Sequence, residues 1–255
     1  MKPRFNIPGA VFLAVLAFIW QVAADRAASP GFPGFFQVVE ALIMNAGVLS
    51  AQLGITLERA FGGFALALFT MLPLGVLLGR LKFARELAEP AIELIRPLPA
   101  IAIIPVAMIF FGIGGAAKIA VVFYGAAFPI LINAMEAVSG AHPMLSNVAR
   151  SLRLGRLETM ALIDLPAALP QVVTGIRISL ALSVLLAVVS EMILSSDGLG
   201  TFLVRAQQRF DVASVLAALI VIALTALLIN ALMLAIERRL LGWHYAIQRS
   251  GDAAV

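Results

Sequence analysis

The chain is a succession of long apolar runs separated by short polar intervals. The runs fall at about 7–24, 60–79, 91–112, 119–135, 172–194 and 212–236, and the last holds 25 residues without a charge. A bilayer core is crossed by roughly 17–25 apolar residues in helical form. The pattern therefore predicts an all-α polytopic membrane protein with six transmembrane helices in a single transmembrane domain over 1–255. Residues 38–58 mix apolar and polar positions at helical spacing and read as an interfacial or short packed helix.

The longest polar interval is Asn147 to Pro170, within a loop over 143–170, and it holds Arg150, Arg153, Arg156, Glu158 and Asp164. Helical periodicity persists through it. Leu145, Val148 and Leu152 share one face, and Leu157, Met160, Ala161 and Leu165 share the next. Gly155 lies between the two sets. Two short amphipathic helices outside the bilayer are expected, with the bend at Gly155 and the end marked by Pro166 and Pro170. On pattern alone this is either a docking knob or a solvated loop.

The third run is unusual. It carries Pro90, Pro97, Pro99 and Pro105, with Glu93 and Arg96 near its start. A proline in a helix frees a carbonyl, which protein or cavity water must satisfy at membrane depth. The run is either a broken helix lining a pathway or a kinked structural helix. In the second run, Gly62, Gly63 and Gly75 permit close helix approach.

Composition narrows the function. The chain is 62% hydrophobic and 13% charged, where a soluble domain carries about a quarter charged residues. A net charge of +4 without aromatic–basic interleaving points away from nucleic acid. There is no cysteine, and His142 and His244 have no partner at ligand spacing, so no metal site or other cofactor is expected. No catalytic constellation is expected either. Met1 to Asp25 resembles a signal peptide, but its apolar run is long enough to span and reads as a retained first helix. With both termini inside, 13 of the 18 basic residues fall on the inner side. The positive-inside rule then places both termini and the 147–170 loop in the cytoplasm.

The loop is similar to the cytoplasmic EAA loop of ATP-binding-cassette (ABC) importer permeases. Asn147-Val148-Ala149 stands at the E-A-A place, Arg153 at the expected glycine, and Ile163-Asp164-Leu165-Pro166 at the I-x-L-P end. Asn147 and Arg153 depart from the pattern, which shifts the expected turn to Gly155. The likeness continues through Glu89-Pro90-Ala91, Leu94 to Pro99, Ile104-Pro105 and Phe111-Gly112-Ile113-Gly114. It goes on through Phe128-Pro129, Thr174 to Arg177, Ser190 to Ile193 and Gly198-Leu199-Gly200. Together these pieces resemble the nitrate/sulfonate/taurine branch, over about residues 54–243.

That resemblance implies a type I importer architecture in a bacterial cytoplasmic (inner) membrane. It implies a pore of two permease chains as a homodimer, two cytoplasmic ATPase subunits and an external substrate-binding protein. The permease would carry no ATPase site, and no G-x-x-x-x-G-K-[ST] occurs in the sequence. The resemblance assigns ATPase coupling to Asn147, Ala149, Arg150, Arg153, Gly155, Arg156 and Leu157, with the arginines otherwise simple anchors. The solute would be a small anion such as a sulfonate, taurine or nitrate.

Candidate pathway residues are Arg96, Met108, Phe111, Tyr124, Asn133 and Glu191. Arg96 either contacts anions or anchors its helix at the headgroups. Glu191 needs a partner at its depth, for which Arg177, Lys118 or a backbone donor is available. An ion-gradient-driven secondary transporter is the alternative, and a membrane-embedded enzyme a third reading. The nearly charge-free runs and the lack of a visible repeat argue against the second, and isolated Asp164 and Asp197 against the third.

Overall fold

The structure is a computed structural model; it describes residues 7–27, 29, 31–140, 144, 151–194 and 197–242. Among these the secondary structure is helical. The helices are α1 (Ile7–Ala27), α2 (Phe35–Met44), α3 (Ala46–Arg80), α4 (Lys82–Ile95), α5 (Ile104–Phe111) and α6 (Gly115–Ser139). They continue as α7 (Arg156–Thr159), α8 (Leu165–Ile193), α9 (Leu199–Gln208) and α10 (Val212–Leu240). A 3₁₀ turn at Ala100–Ile103 precedes α5, and a π turn at Met160–Asp164 joins α7 to α8.

Four helices, α3, α6, α8 with its lead-in from Leu162, and α10, are long and apolar enough to cross a membrane. α4 and the 100–111 segment make a fifth candidate, bent by 89°. The six expected crossings are reached only if that bent pair and the 21-residue apolar α1 each count as one. The boundaries also differ from the sequence reading. The run at 60–79 is the second half of a 35-residue helix, and 38–58 is divided between α2 and the start of α3. The run at 91–112 is not one helix, because Pro97 and Pro99 cannot donate to a continuing ladder.

α6 is the central helix, packed between α3 and α8. Small residues set the approach. A Cβ on Gly75 would stand 2.6 Å from the Leu131 carbonyl oxygen, and one on Gly79 2.6 Å from that of Met135. These glycines, four apart on α3, let its backbone lie directly on α6. On the other side, Ser179 Oγ of α8 donates to the Ala126 carbonyl of α6 at 2.7 Å. Cross-helix hydrogen bonds of this kind contribute about 0.6 kcal/mol in a membrane. α9 is amphipathic; Leu199 and Leu203 join Val38, Leu49, Ala217 and Ala218 in a cluster that ties α2, α3, α9 and α10 together. α1 packs on α2, where Trp20 Nε1 donates to the Pro33 carbonyl at 3.1 Å and its ring meets Phe35 edge-on.

Candidate functional site

The break between α4 and α5 shapes a cavity. After Ile95 the chain turns through Arg96-Pro97-Leu98-Pro99, where the four-residue helical ladder gives way to a tighter bond from Leu98 N–H to the Ile95 carbonyl at 3.1 Å. Tyr124 of α6 adds a second donor: its hydroxyl donates to the Ile95 carbonyl at 2.8 Å and lies 3.4 Å from that of Leu98. Its ring rests edge-on against Phe128, one turn further along α6. Beside this elbow is a cavity of about 420 Å³ bordered by Arg96, Tyr124, Phe128, Asn133, Ile178 and Leu186. Asn133 donates from Nδ2 to the Pro129 carbonyl of its own helix at 2.8 Å. The cavity is thus mostly apolar, with one guanidinium at its border.

Of the six sequence-derived pathway residues, Arg96, Tyr124 and Asn133 come together at this cavity. Met108 and Phe111 do not border it. Met108 packs on Ile104, Ala107, Ala117, Val121 and Leu194. Phe111, at the end of α5, is more than half exposed.

Glu191 belongs to a separate cluster. It is fully buried, as is Lys118, and Arg59 is 6% exposed. Arg59 Nη1 donates to Glu191 Oε1 at 2.8 Å, and Arg59 Nη2 donates to Asp197 Oδ1. Lys118 Nζ reaches the same Asp197 oxygen at 3.1 Å. Two cations and two carboxylates therefore neutralise one another among α3, α6, α8 and the entry to α9. The start of α9 completes the arrangement. Gly200 N–H donates to Glu191 Oε2, Leu199 N–H to Thr56 Oγ1, and Gly198 N–H to Gln52 Oε1. A carboxylate at a helix N-terminus is favoured by the orphan N–H groups and the macrodipole. Gly198 turns the chain into this position with φ +99°.

The sequence reading missed Gln52, Thr56, Arg59 and Asp197. Asp197, isolated in the sequence, bridges two buried cations, Arg59 and Lys118. Of the partners considered for Glu191, the backbone donor is present, as Gly200. The signal was there, because a carboxylate inside an apolar run demands compensation. Only the tertiary fold brings residues 132 positions apart to meet it.

In the loop, Asn147, Ala149 and Arg150 lie outside the described residues, and for Arg156 and Leu157 the backbone alone, in α7, is described. Arg153 is exposed and left-handed, with φ +53°. The turn therefore sits at the residue that occupies the glycine place of the pattern, not at Gly155 as expected. Gly155 instead begins α7: its N–H donates to Glu158 Oε2 at 2.9 Å, the back-reaching half of a capping box. The expected second amphipathic helix is not closed off by its prolines. Pro166 occupies the first turn of α8 and Pro170 lies inside it, so the segment runs straight into the fifth apolar run.

A broken span beside a cavity is an arrangement that membrane transport proteins use. The family model of the binding-protein-dependent transport system inner membrane component matches residues 71–242, and the chain belongs to that family. It is a multi-pass permease subunit of an ABC importer. It is 34% identical to the taurine transport system permease protein TauC of Escherichia coli K12, over 92% of this chain and 89% of that one. It is 32% identical to the putative aliphatic sulfonates transport permease protein SsuC of Bacillus subtilis 168, over 92% and 87%. It is 31% identical to the nitrate import permease protein NrtB of Synechocystis, over 89% and 86%. The fold matches the inward-facing methionine ABC transporter MetNI with a TM-score of 0.66, at 22% identity, over 77% of this chain and 97% of that one.

Proposed function

We propose that two copies of this chain form the pore of an ATP-driven importer for a small oxyanion of the sulfonate, taurine or nitrate kind. Three relatives at 31–34% identity are named for those solutes. The observation that carries the reading to the residues is Arg96 at the border of a cavity of about 420 Å³ beside the broken helix. A guanidinium presents planar paired donors that match a sulfonate or nitrate, and its attraction grows as water is excluded. Tyr124 and Asn133 border the same cavity, and both are already engaged with helix carbonyls, so Arg96 is the group available to an anion.

The chain has no nucleotide motif, so ATP is hydrolysed on partner subunits. Two cytoplasmic ATPases take the 147–170 loop into their clefts, with Asn147, Ala149, Arg150, Arg153, Gly155, Arg156 and Leu157 forming the coupling surface. The left-handed turn at Arg153 and the capped start of α7 support a fixed shape for that surface. Nucleotide then biases a two-state pore from a remote site. An external binding protein delivers the solute. The basic residues, concentrated on one side of the spans, support cytoplasmic termini.

The experiment is ATP-dependent uptake into proteoliposomes holding the full complex and its binding protein, with taurine, an alkanesulfonate and nitrate as solutes. Arg96→Gln is expected to raise the half-saturating concentration of delivered anion or lower uptake by about tenfold, the effect of losing ~1.4 kcal/mol. Unchanged anion uptake in that variant removes Arg96 from the pathway.

A further inference from the structure

α4 runs within the membrane layer and carries charges along its whole length. Ala84, Ala88 and Ile92, on one side of the helix, pack against the cluster of Leu78, Leu131 and Met135 contributed by α3 and α6. Its last residue, Ile95, meets the Tyr124 hydroxyl. Tyr124 lies fifteen residues before the end of α6 at Ser139 and nine after its start at Gly115. At 1.5 Å per residue those distances are ~22 Å and ~13 Å. Arg96, the next residue of the chain, therefore sits well inside a hydrocarbon core of ~30 Å.

Lys82, Glu86, Glu89, Glu93 and Arg96 follow one another at steps of four, three, four and three. They form one stripe along the helix, and all five are exposed. The exposed apolar residues Phe83, Leu87 and Leu94 form a separate ridge. Lys82 pairs with Glu86 at 3.7 Å, at the start of α4. Further in, among the described residues, Glu89, Glu93 and Arg96 enter no ion pair. That sets them apart from Arg59, Lys118, Glu191 and Asp197, which neutralise one another. A charge at membrane depth is held by a partner or by water. The ridge suits hydrocarbon; the stripe does not.

The inner end of the stripe is Arg96, at the border of the cavity beside the elbow, and its other end lies next to Arg80 and Arg85. We propose that this face of α4 walls a water-filled passage from the cytoplasm to the Arg96 cavity, with Glu93 weakening the hold of Arg96 on an anion so that it is released inward. The inference rests on the reading of Arg96 as the anion contact and of the Arg80 end as cytoplasmic. Glu93 stands one helical turn from Arg96, with Cβ atoms ~5–6 Å apart. A carboxylate at that distance lowers the attraction an anion feels at the guanidinium, yet leaves the N–H donors of Arg96 in place. Glu89 carries the same sign one turn further out.

The test uses the complete complex in inside-out membrane vesicles without nucleotide, so that the cytoplasmic face meets the medium. The chain has no cysteine, so thiols introduced one at a time can be read on it by mass spectrometry. Glu89→Cys and Glu93→Cys are expected to react with a membrane-impermeant cationic methanethiosulfonate about tenfold faster than Leu87→Cys and Leu94→Cys, because a hydrated thiol ionises more readily. Leu98→Cys, at the cavity border, should also react, and taurine, ethanesulfonate or nitrate should slow it. Adding Glu93→Gln to Leu98→Cys should lower the half-protecting anion concentration about fivefold, the scale of one unit charge ~6 Å away in a wet site, and Arg96→Gln should raise it. A merely structural role for Glu93 would not tighten anion binding. Thiols at 89 and 93 as slow as those of the ridge overturn the passage, even where Arg96→Gln lowers uptake. A half-protecting concentration unchanged by Glu93→Gln overturns the role of Glu93 alone. Labelling at 98 that no anion slows overturns that role and the Arg96 reading together.

Discussion

Arg59 and Glu191 meet across 2.8 Å, 132 positions apart, and neither is more than 6% exposed. The pair joins α3 to the end of α8, and through Asp197 and Gly200 it also fixes the start of α9. Removing one member of a buried pair strands the other, at a cost of about 3–5 kcal/mol. Arg59→Met should therefore lower thermal stability strongly, measured by unfolding of the purified permease in detergent. Arg59→Met combined with Glu191→Gln should recover much of the loss, since the stranded charge is gone. A single substitution costing under ~1 kcal/mol would mean that water reaches the pair.

Tyr124→Phe keeps the ring against Phe128 and removes the hydroxyl from the Ile95 carbonyl, which keeps the Leu98 N–H at 3.1 Å. Losing one hydrogen bond from a carbonyl that keeps another donor costs about 0.5–1.5 kcal/mol. The expected outcome is a destabilised elbow, seen as faster proteolysis or hydrogen exchange between Ile95 and Pro99 with the rest of the chain unaffected. Uniform exchange in the two proteins would show that the hydroxyl is not what holds the break.

Arg153 holds φ +53° without being glycine. A left-handed residue with a Cβ carries about 1–2 kcal/mol of strain. Arg153→Gly should raise the stability of the loop by about that amount, and Arg153→Val, branched at Cβ, should lower it. Thermal unfolding of the two variants side by side checks the order.

Coupling through the loop is tested at Ala149. Ala149→Glu places a bulky charge at the centre of the proposed contact with the ATPase. Hydrolysis of ATP by the complex should continue while uptake falls by about tenfold or more, equivalent to over ~1.4 kcal/mol of lost coupling. Both rates are read on the same vesicles. Normal uptake would place the contact elsewhere.

Much of the helical layout was legible in the sequence because a bilayer imposes it: long apolar runs need internal hydrogen bonding, and polar intervals mark their ends. The family was legible for a different reason, since Leu94 to Pro99, Phe128-Pro129 and Gly198-Leu199-Gly200 occur in order. Helix ends were less legible. α3 runs to 35 residues because nothing between Ala46 and Arg80 stops it, Pro73 included. α8 takes Pro166 in its first turn, where proline's fixed φ suits a helix, and carries Pro170 in its interior. The break after Ile95 was visible in its prolines, but the 89° angle and the Tyr124 donor depend on α6. The Arg59–Glu191–Asp197–Lys118 cluster was the least legible, because four residues from four segments become one unit only after folding. The turn of the loop was misplaced because Gly155 is nearby and glycine is the default left-handed residue; Arg153, at the glycine place of the pattern, takes that conformation instead.

The most direct measurement is gentle extraction of the chain from its native membrane, native mass spectrometry of what accompanies it, and uptake by the same preparation in proteoliposomes. Two copies of the chain with two copies of a soluble ATPase, and anion uptake that stops without ATP, are the predicted result. A chain that comes out alone and carries solute on an ion gradient without ATP would contradict the permease assignment and restore the secondary transporter.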